Sequence, residues 1–162
     1  MGWFTRRGGN PAASTVDTVR PLAQDRLTRI LDAQGWHWVI DEDGDLGGNW
    51  EGNRFYFLLS GTHQEVLQVQ GFLRERLPSR DLDALRLFIE DWHRDHYWPS
   101  CSYRVDESSD TVMFSAAHSI DHEAGATDAQ LLQQIRCALG TCTQVFEAVR
   151  DTFLPSEEDE DL

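Results

Sequence analysis

Apolar positions change period along this chain, and the changes mark its elements. Leu22, Leu27, Ile30 and Leu31 recur at helical spacing behind Pro21, a good first helical residue, and Gly35 ends that helix as its C′ residue. Trp36, Trp38 and Ile40 then alternate with His37, Val39 and Asp41, which predicts a strand with one buried face. DEDGDLGG, Asp41 to Gly48, reads as a turn: acidic side chains bond nearby N–H groups, and glycines accept positive φ. Phe55 to Leu59 is apolar at every position. Such a strand is expected to be central and shielded on both surfaces, with Phe55, Phe57 and Leu59 on one and Tyr56 and Leu58 on the other. Ser60-Gly61-Thr62 turns the chain into a third strand, Glu65 to Gly71, on which Leu67 and Val69 share a face. Turns this short favour antiparallel pairing.

Helical periodicity returns after Pro78. Leu82, Leu85, Ile89 and Trp92 form the stripe, Phe88 widens it, and Pro99 closes the segment. Cys101, Tyr103 and Val105 alternate in a fourth strand, Glu107 to Asp110 turns, and Val112, Phe114, Ala116 and His118 alternate in a fifth. Thr127 with Gln130 three positions later makes a capping box for a last helix. Its apolar face runs from Leu131 through Ile135, Leu139, Cys142, Phe146 and Val149 to Phe153. Gly140 in its middle costs about 1 kcal/mol relative to alanine. With Ala138 and Thr141 beside it, the expectation is a close approach by another element. The predicted fold is α+β: an antiparallel sheet of about five strands with helices packed on it, in the order α-β-β-β-α-β-β-α.

Composition narrows the setting. The 162 residues suit one domain, expected over 21–155, with a disordered segment over 1–20 and an acidic tail over 156–162. In the first segment only the aromatic pair Trp3 and Phe4 offers something to dock. No apolar run approaches the ~20 residues that cross a bilayer, and MGWFTRRGG lacks the apolar core of a secretory signal. Cys101, Cys137 and Cys142 are few and odd in number, as expected of free thiols in a cytoplasmic protein. The formal charge is −14; Glu157 to Asp161 carry five of those charges, which leaves −9 on the rest. A body that acidic argues against nucleic acid and against an anionic membrane surface as partners.

Several ordered stretches together resemble the YbjN-like domain family, especially its actinobacterial members. They are Pro21-Leu22, DEDGDLGGNW (Asp41 to Trp50), FYFLL (Phe55 to Leu59), EVLQVQG (Glu65 to Gly71), Trp98-Pro99, GATDAQL (Gly125 to Leu131) and GTCTQVF (Gly140 to Phe146). The resemblance covers roughly Pro21 to Pro155. It implies a fold like that of type III secretion chaperones, a twisted antiparallel sheet with helices packed on it, often dimeric. It also implies chaperone-like binding or sensory and stress regulation, without enzymatic activity.

Candidate chemistry is sparse. Asp41, Asp43 and Asp45 suggest a calcium loop, but glycine falls fourth (Gly44) and the twelfth position is Gly52, so the EF-hand pattern fails and an acidic turn accounts for them. His93 and His96 lie one helical turn apart; with His118, His122 and either Asp121 or Glu123 they make up a conceivable metal site, though without the His-Glu-x-x-His pattern. Cys137 and Cys142 are separated by ~140° around their helix, too far for a compact chelate. No phosphate loop, GxSxG elbow or cysteine-protease signature occurs. Trp36, Trp38 and Trp92 fit the core, whereas Trp50 and Trp98 lie near turns, where half-buried rings line grooves or subunit contacts. The expectation is a non-enzymatic protein-binding module, chaperone-like or regulatory, without a cofactor. Its contacts would be Trp50, Tyr56 and Trp98, and it would form a homodimer through the second helix or the small residues near Gly140. The alternative is a metal-assisted site at His93, His96, His118 and His122.

Overall fold

The computed structural model describes residues 16–154. Trp3 and Phe4, the rest of residues 1–15 and the acidic tail over 156–162 lie outside the described residues. Helix α1 spans Gln24–Ala33, α2 Leu82–Asp95 and α3 Asp128–Phe153; a short 3-10 turn, Ser79–Asp81, leads into α2. The strands are β1 (Val39–Ile40), β2 (Leu46–Trp50), β3 (Asn53–Ser60), β4 (Val66–Phe72), β5 (Leu77–Pro78), β6 (Ser100–Asp106) and β7 (Thr111–Asp121).

All seven strands form one antiparallel sheet. β2, β3 and β4 make a meander, β4 pairs with β7, β6 takes the far edge beside β7, and β5 adds a two-residue ladder to β7. The α+β expectation and the order of helices hold; the sheet has more strands than the five expected. The first strand also shifts. The partner of β3 is Leu46–Trp50, read as part of a turn, and only Val39–Ile40 of the expected Trp36–Ile40 strand pairs, at the edge. Ile40 is exposed rather than buried. The glycines explain the misreading, because Gly47 and Gly48 serve close packing inside a strand. A Cβ on Gly47 would stand 2.6 Å from the Phe55 carbonyl oxygen, and one on Gly48 would stand 2.8 Å from that of His37. The acidic turn survives in shortened form: Asp41 Oδ1 accepts from the N–H groups of Asp43 and Asp45.

The core lies between one face of the sheet and the helices. Leu46, Phe55, Phe57, Leu67, Val69, Val112 and Phe114 point into it, opposite Leu131, Ile135, Cys142, Phe146 and Val149 of α3, all buried. Each such large side chain contributes roughly 1.5–3 kcal/mol by leaving water. Phe55 and Phe114 each meet Phe146, at ring separations of 6.1 and 6.0 Å. The capping box at Thr127 and Gln130 forms as expected. α1 packs beside α3, and α2 reaches the end of α3 through Phe88 against Phe153. Pro21 does not open α1, which starts at Gln24. The carbonyls of Arg20 and Pro21 are instead held by the buried Arg26 guanidinium, which also bonds Ala126 O and the Asp128 carboxylate. Asp17 caps α3 by accepting from the N–H groups of Asp128 and Ala129, and those bonds hold its carboxyl below the usual range.

Candidate functional site

The expectation that Phe55–Leu59 is shielded on both surfaces is met on one. Because side chains alternate along a strand, Tyr56 and Leu58 point away from the helices, and both are half-buried. Register aligns them across the sheet: Tyr56 lies opposite Gln70, Leu58 opposite Gln68, Gln70 opposite Ala117 and Phe72 opposite Ser115. Phe72, Met113 and Ala117 on this outer face are half-buried as well. The Tyr56 and Phe72 rings meet edge to face at 6.0 Å, and the Arg54 guanidinium lies 5.7 Å from the Tyr56 ring centre. Ser102 and Ser115 join hydroxyls at 2.8 Å. None of the described helices covers this face, and Arg54 and Arg104 stand on it directly opposite Phe72 and Met113, although the molecule is strongly acidic.

Trp50 and Trp98 lie on the helix side, so the three aromatic candidates do not share a surface. Trp50 is the hub of an aromatic cluster with Trp36, Phe55 and Phe57, at ring separations of 6.1, 5.9 and 5.4 Å. It borders a groove of about 440 Å³ against the α3 segment that includes Gly140. The expected close approach at Gly140 is absent: a Cβ there would meet nothing within 4 Å. The small residue leaves space at this surface instead of admitting a neighbour.

Trp98 borders a second hollow, of about 520 Å³, between the end of β7 and the first turns of α3. His118 forms its floor and is only 1% exposed. Neither ring nitrogen of His118 has a hydrogen-bond partner, and burial pushes its pKa below the ordinary histidine value. The Trp98 ring lies over it, with centroids 4.8 Å apart. Beside it, His122 Nε2 is 2.7 Å from Gln134 Oε1, while Gln134 Nε2 donates to Leu67 O. Gln134 spends its amide N–H on that carbonyl, so its oxygen is the acceptor and His122 Nε2 is the donor. Ile120 and Cys137 supply the apolar walls.

The four histidines do not assemble into a metal site. His93 Nε2 accepts from the Cys101 N–H at 2.8 Å, and His96 stacks on Trp92 at 3.8 Å. Only His118 and His122 share the hollow. Among the described residues there is no group of three or more His, Cys, Asp or Glu side chains able to hold a metal ion. Burial pushes the Cys101 and Cys142 thiols up to about 12, so both are inert core fillers. No described helix is long and apolar enough to cross a membrane.

Sequence periodicity placed His118 on the buried face of its strand but did not show that it would be left unpartnered. It also could not join β7, the Trp98 loop and α3 around one hollow, since that juxtaposition depends on tertiary packing. Phe72 and Met113 were missed on the outer face for want of register.

Comparison with known proteins agrees with this architecture. The crystal structure of YbjN from E. coli, described as a putative transcription regulator, superposes with a TM-score of 0.73 at 12% identity, covering 86% of this chain and 100% of that one. The HopA1-SchA chaperone-effector complex superposes with a TM-score of 0.52 at 15% identity, covering 81% of this chain and 99% of the matched one. At such identities the likeness is one of fold. No curated protein sequence matches the chain. The YbjN family profile, described as "Putative bacterial sensory transduction regulator", matches residues 23–151. On that match, spanning most of its length, the chain belongs to the YbjN family.

Proposed function

We propose that this chain is a non-enzymatic, cytoplasmic protein-binding module, a chaperone-like or regulatory adaptor, that receives a polypeptide on the outer face of its sheet. The observation that carries this reading is the half-buried stripe of Tyr56, Leu58, Phe72 and Met113, flanked by Arg54 and Arg104 and left without a described helix over it. A contiguous apolar stripe flanked by polar residues is how soluble proteins present a contact surface. Membership of a regulator family and a fold shared with a chaperone-effector complex support a binding or regulatory role. Trp50 and Trp98 lie on the helix side, away from this face, and would offer separate contacts. A homodimer through α2 or the open surface at Gly140 would leave the stripe free for the partner, and light scattering would then return twice the 18.5 kDa chain mass.

Affinity capture from the protein's own host tests the reading. Wild type retains a polypeptide that the double variant Tyr56→Asp, Leu58→Asp loses, while circular dichroism shows the variant folded. Capture of an identical set by both, or of nothing by wild type, contradicts it.

A further inference from the structure

The hollow beneath Trp98 is separate from the outer sheet face, and its chemistry points to a different kind of occupant. A buried polar group without a partner is costly, and a protein retains one where something else supplies the missing bond. His118, which lines a hollow whose size falls in the range of small-molecule sites, has two such nitrogens, both closed off from solvent with the Trp98 ring over the imidazole. No Asp, Glu, Lys or Arg lines it, which leaves the imidazoles of His118 and His122 and the Cys137 thiol as its ionisable groups and disfavours a charged ligand. The half-exposed Trp98 ring provides a flat apolar wall. It also lies over His118, at 4.8 Å between ring centroids, so a ligand bonded to the imidazole would have to displace the indole and could then stack against it. The His122–Gln134–Leu67 chain holds the remaining polar wall in one orientation.

We propose that this hollow is a binding site for an uncharged, planar heteroaromatic small molecule, stacked on Trp98 and hydrogen-bonded to His118. The site stands independently of the protein-binding reading. It would give a member of a sensory regulator family a place to receive a chemical signal, at a distance from the surface offered to a protein.

Three neutral probes with adjacent donor and acceptor groups, indazole, 7-azaindole and quinazolin-4-one, test the proposal on the full chain at pH 7.5. Proton–nitrogen correlation spectra follow the Trp98 indole N–H and the His118 ring nitrogens. At least one probe is expected to shift both saturably, with a dissociation constant of ~1 mM or tighter. Benzoate and benzamidine, of similar size but charged, are expected to bind at least tenfold more weakly. His118→Phe and Trp98→Ala are expected to weaken the neutral probe at least tenfold, while Tyr97→Ala, at the 98% exposed neighbour, leaves it unchanged. The ring-nitrogen shifts in wild type provide a readout that needs no variant. Absence of a saturable shift from all three probes, equal binding of the charged pair, or undiminished binding by folded His118→Phe overturns the assignment.

Discussion

His118 illustrates how a single side chain can work against stability in the isolated fold. Its unpartnered nitrogens cost on the order of 1–3 kcal/mol, a cost that an apolar ring of similar shape avoids. His118→Phe is therefore expected to raise the melting temperature at neutral pH, measured by calorimetry. The pH dependence has a definite sign. Burial holds the folded imidazole below the ordinary value of 6.5, so below that pH the unfolded chain binds the extra proton. Wild type therefore loses further stability as pH falls through the window beneath about 6.5, and the difference between wild type and His118→Phe should widen there. A constant difference from pH 7.5 to 5 would contradict this. The cysteines offer a second residue-scale test. Cys101 and Cys142 are buried with thiols pushed up to about 12, whereas Cys137 is half-buried beside the hollow. Iodoacetamide on the native protein should modify Cys137 first, and the other two only after unfolding; mass mapping decides it.

At the scale of elements, glycines separate what sequence pattern conveys from what packing decides. Gly48 lies inside β2, where a Cβ would press within 2.7 Å of the Trp50 ring and 2.8 Å of the His37 carbonyl. Gly48→Ala should cost about 1–3 kcal/mol in denaturant unfolding. Gly140 has open space around it, so Gly140→Ala should stabilise by up to about 1 kcal/mol. Sequence reading assigned the two the opposite way, a turn at Gly48 and a close approach at Gly140, because glycine marks either use without saying which. The capping box and the α3 stripe were readable because both depend on neighbours within a turn or two. The start of α1 was not: Arg26 reaches from that helix to Ala126 and Asp128, 100 and 102 residues away. Arg26→Met should lose roughly 1–3 kcal/mol: Pro21 O loses its bond, Arg20 O and Ala126 O keep only the backbone bridge between them, and Asp128 is discounted because it is half in water.

For the whole molecule, the two-sided apolar run Phe55–Leu59 showed that β3 is central, and β3 does lie between β2 and β4. It did not show what covers the second side, because one chain's pattern cannot distinguish a helix from a partner. The structure places all three helices against the side bearing Phe55 and Phe57 and leaves Tyr56, Leu58, Phe72 and Met113 aligned on the other. The histidines failed as a metal site for a related reason. Spacing within a helix or strand brings two of them near each other, but only the packing of α2 against β6 and of α3 against β7 decides whether the pairs meet, and among the described residues they form no metal-binding group. The open stripe is the central claim, and photo-crosslinking in the protein's own host tests it most directly. Benzoylphenylalanine in place of Tyr56 is expected to trap a discrete polypeptide on irradiation, whereas the same residue in place of Asp25, on the exposed side of α1, traps none. Equal trapping at both positions, or none at Tyr56 with the protein folded and expressed, would contradict the account.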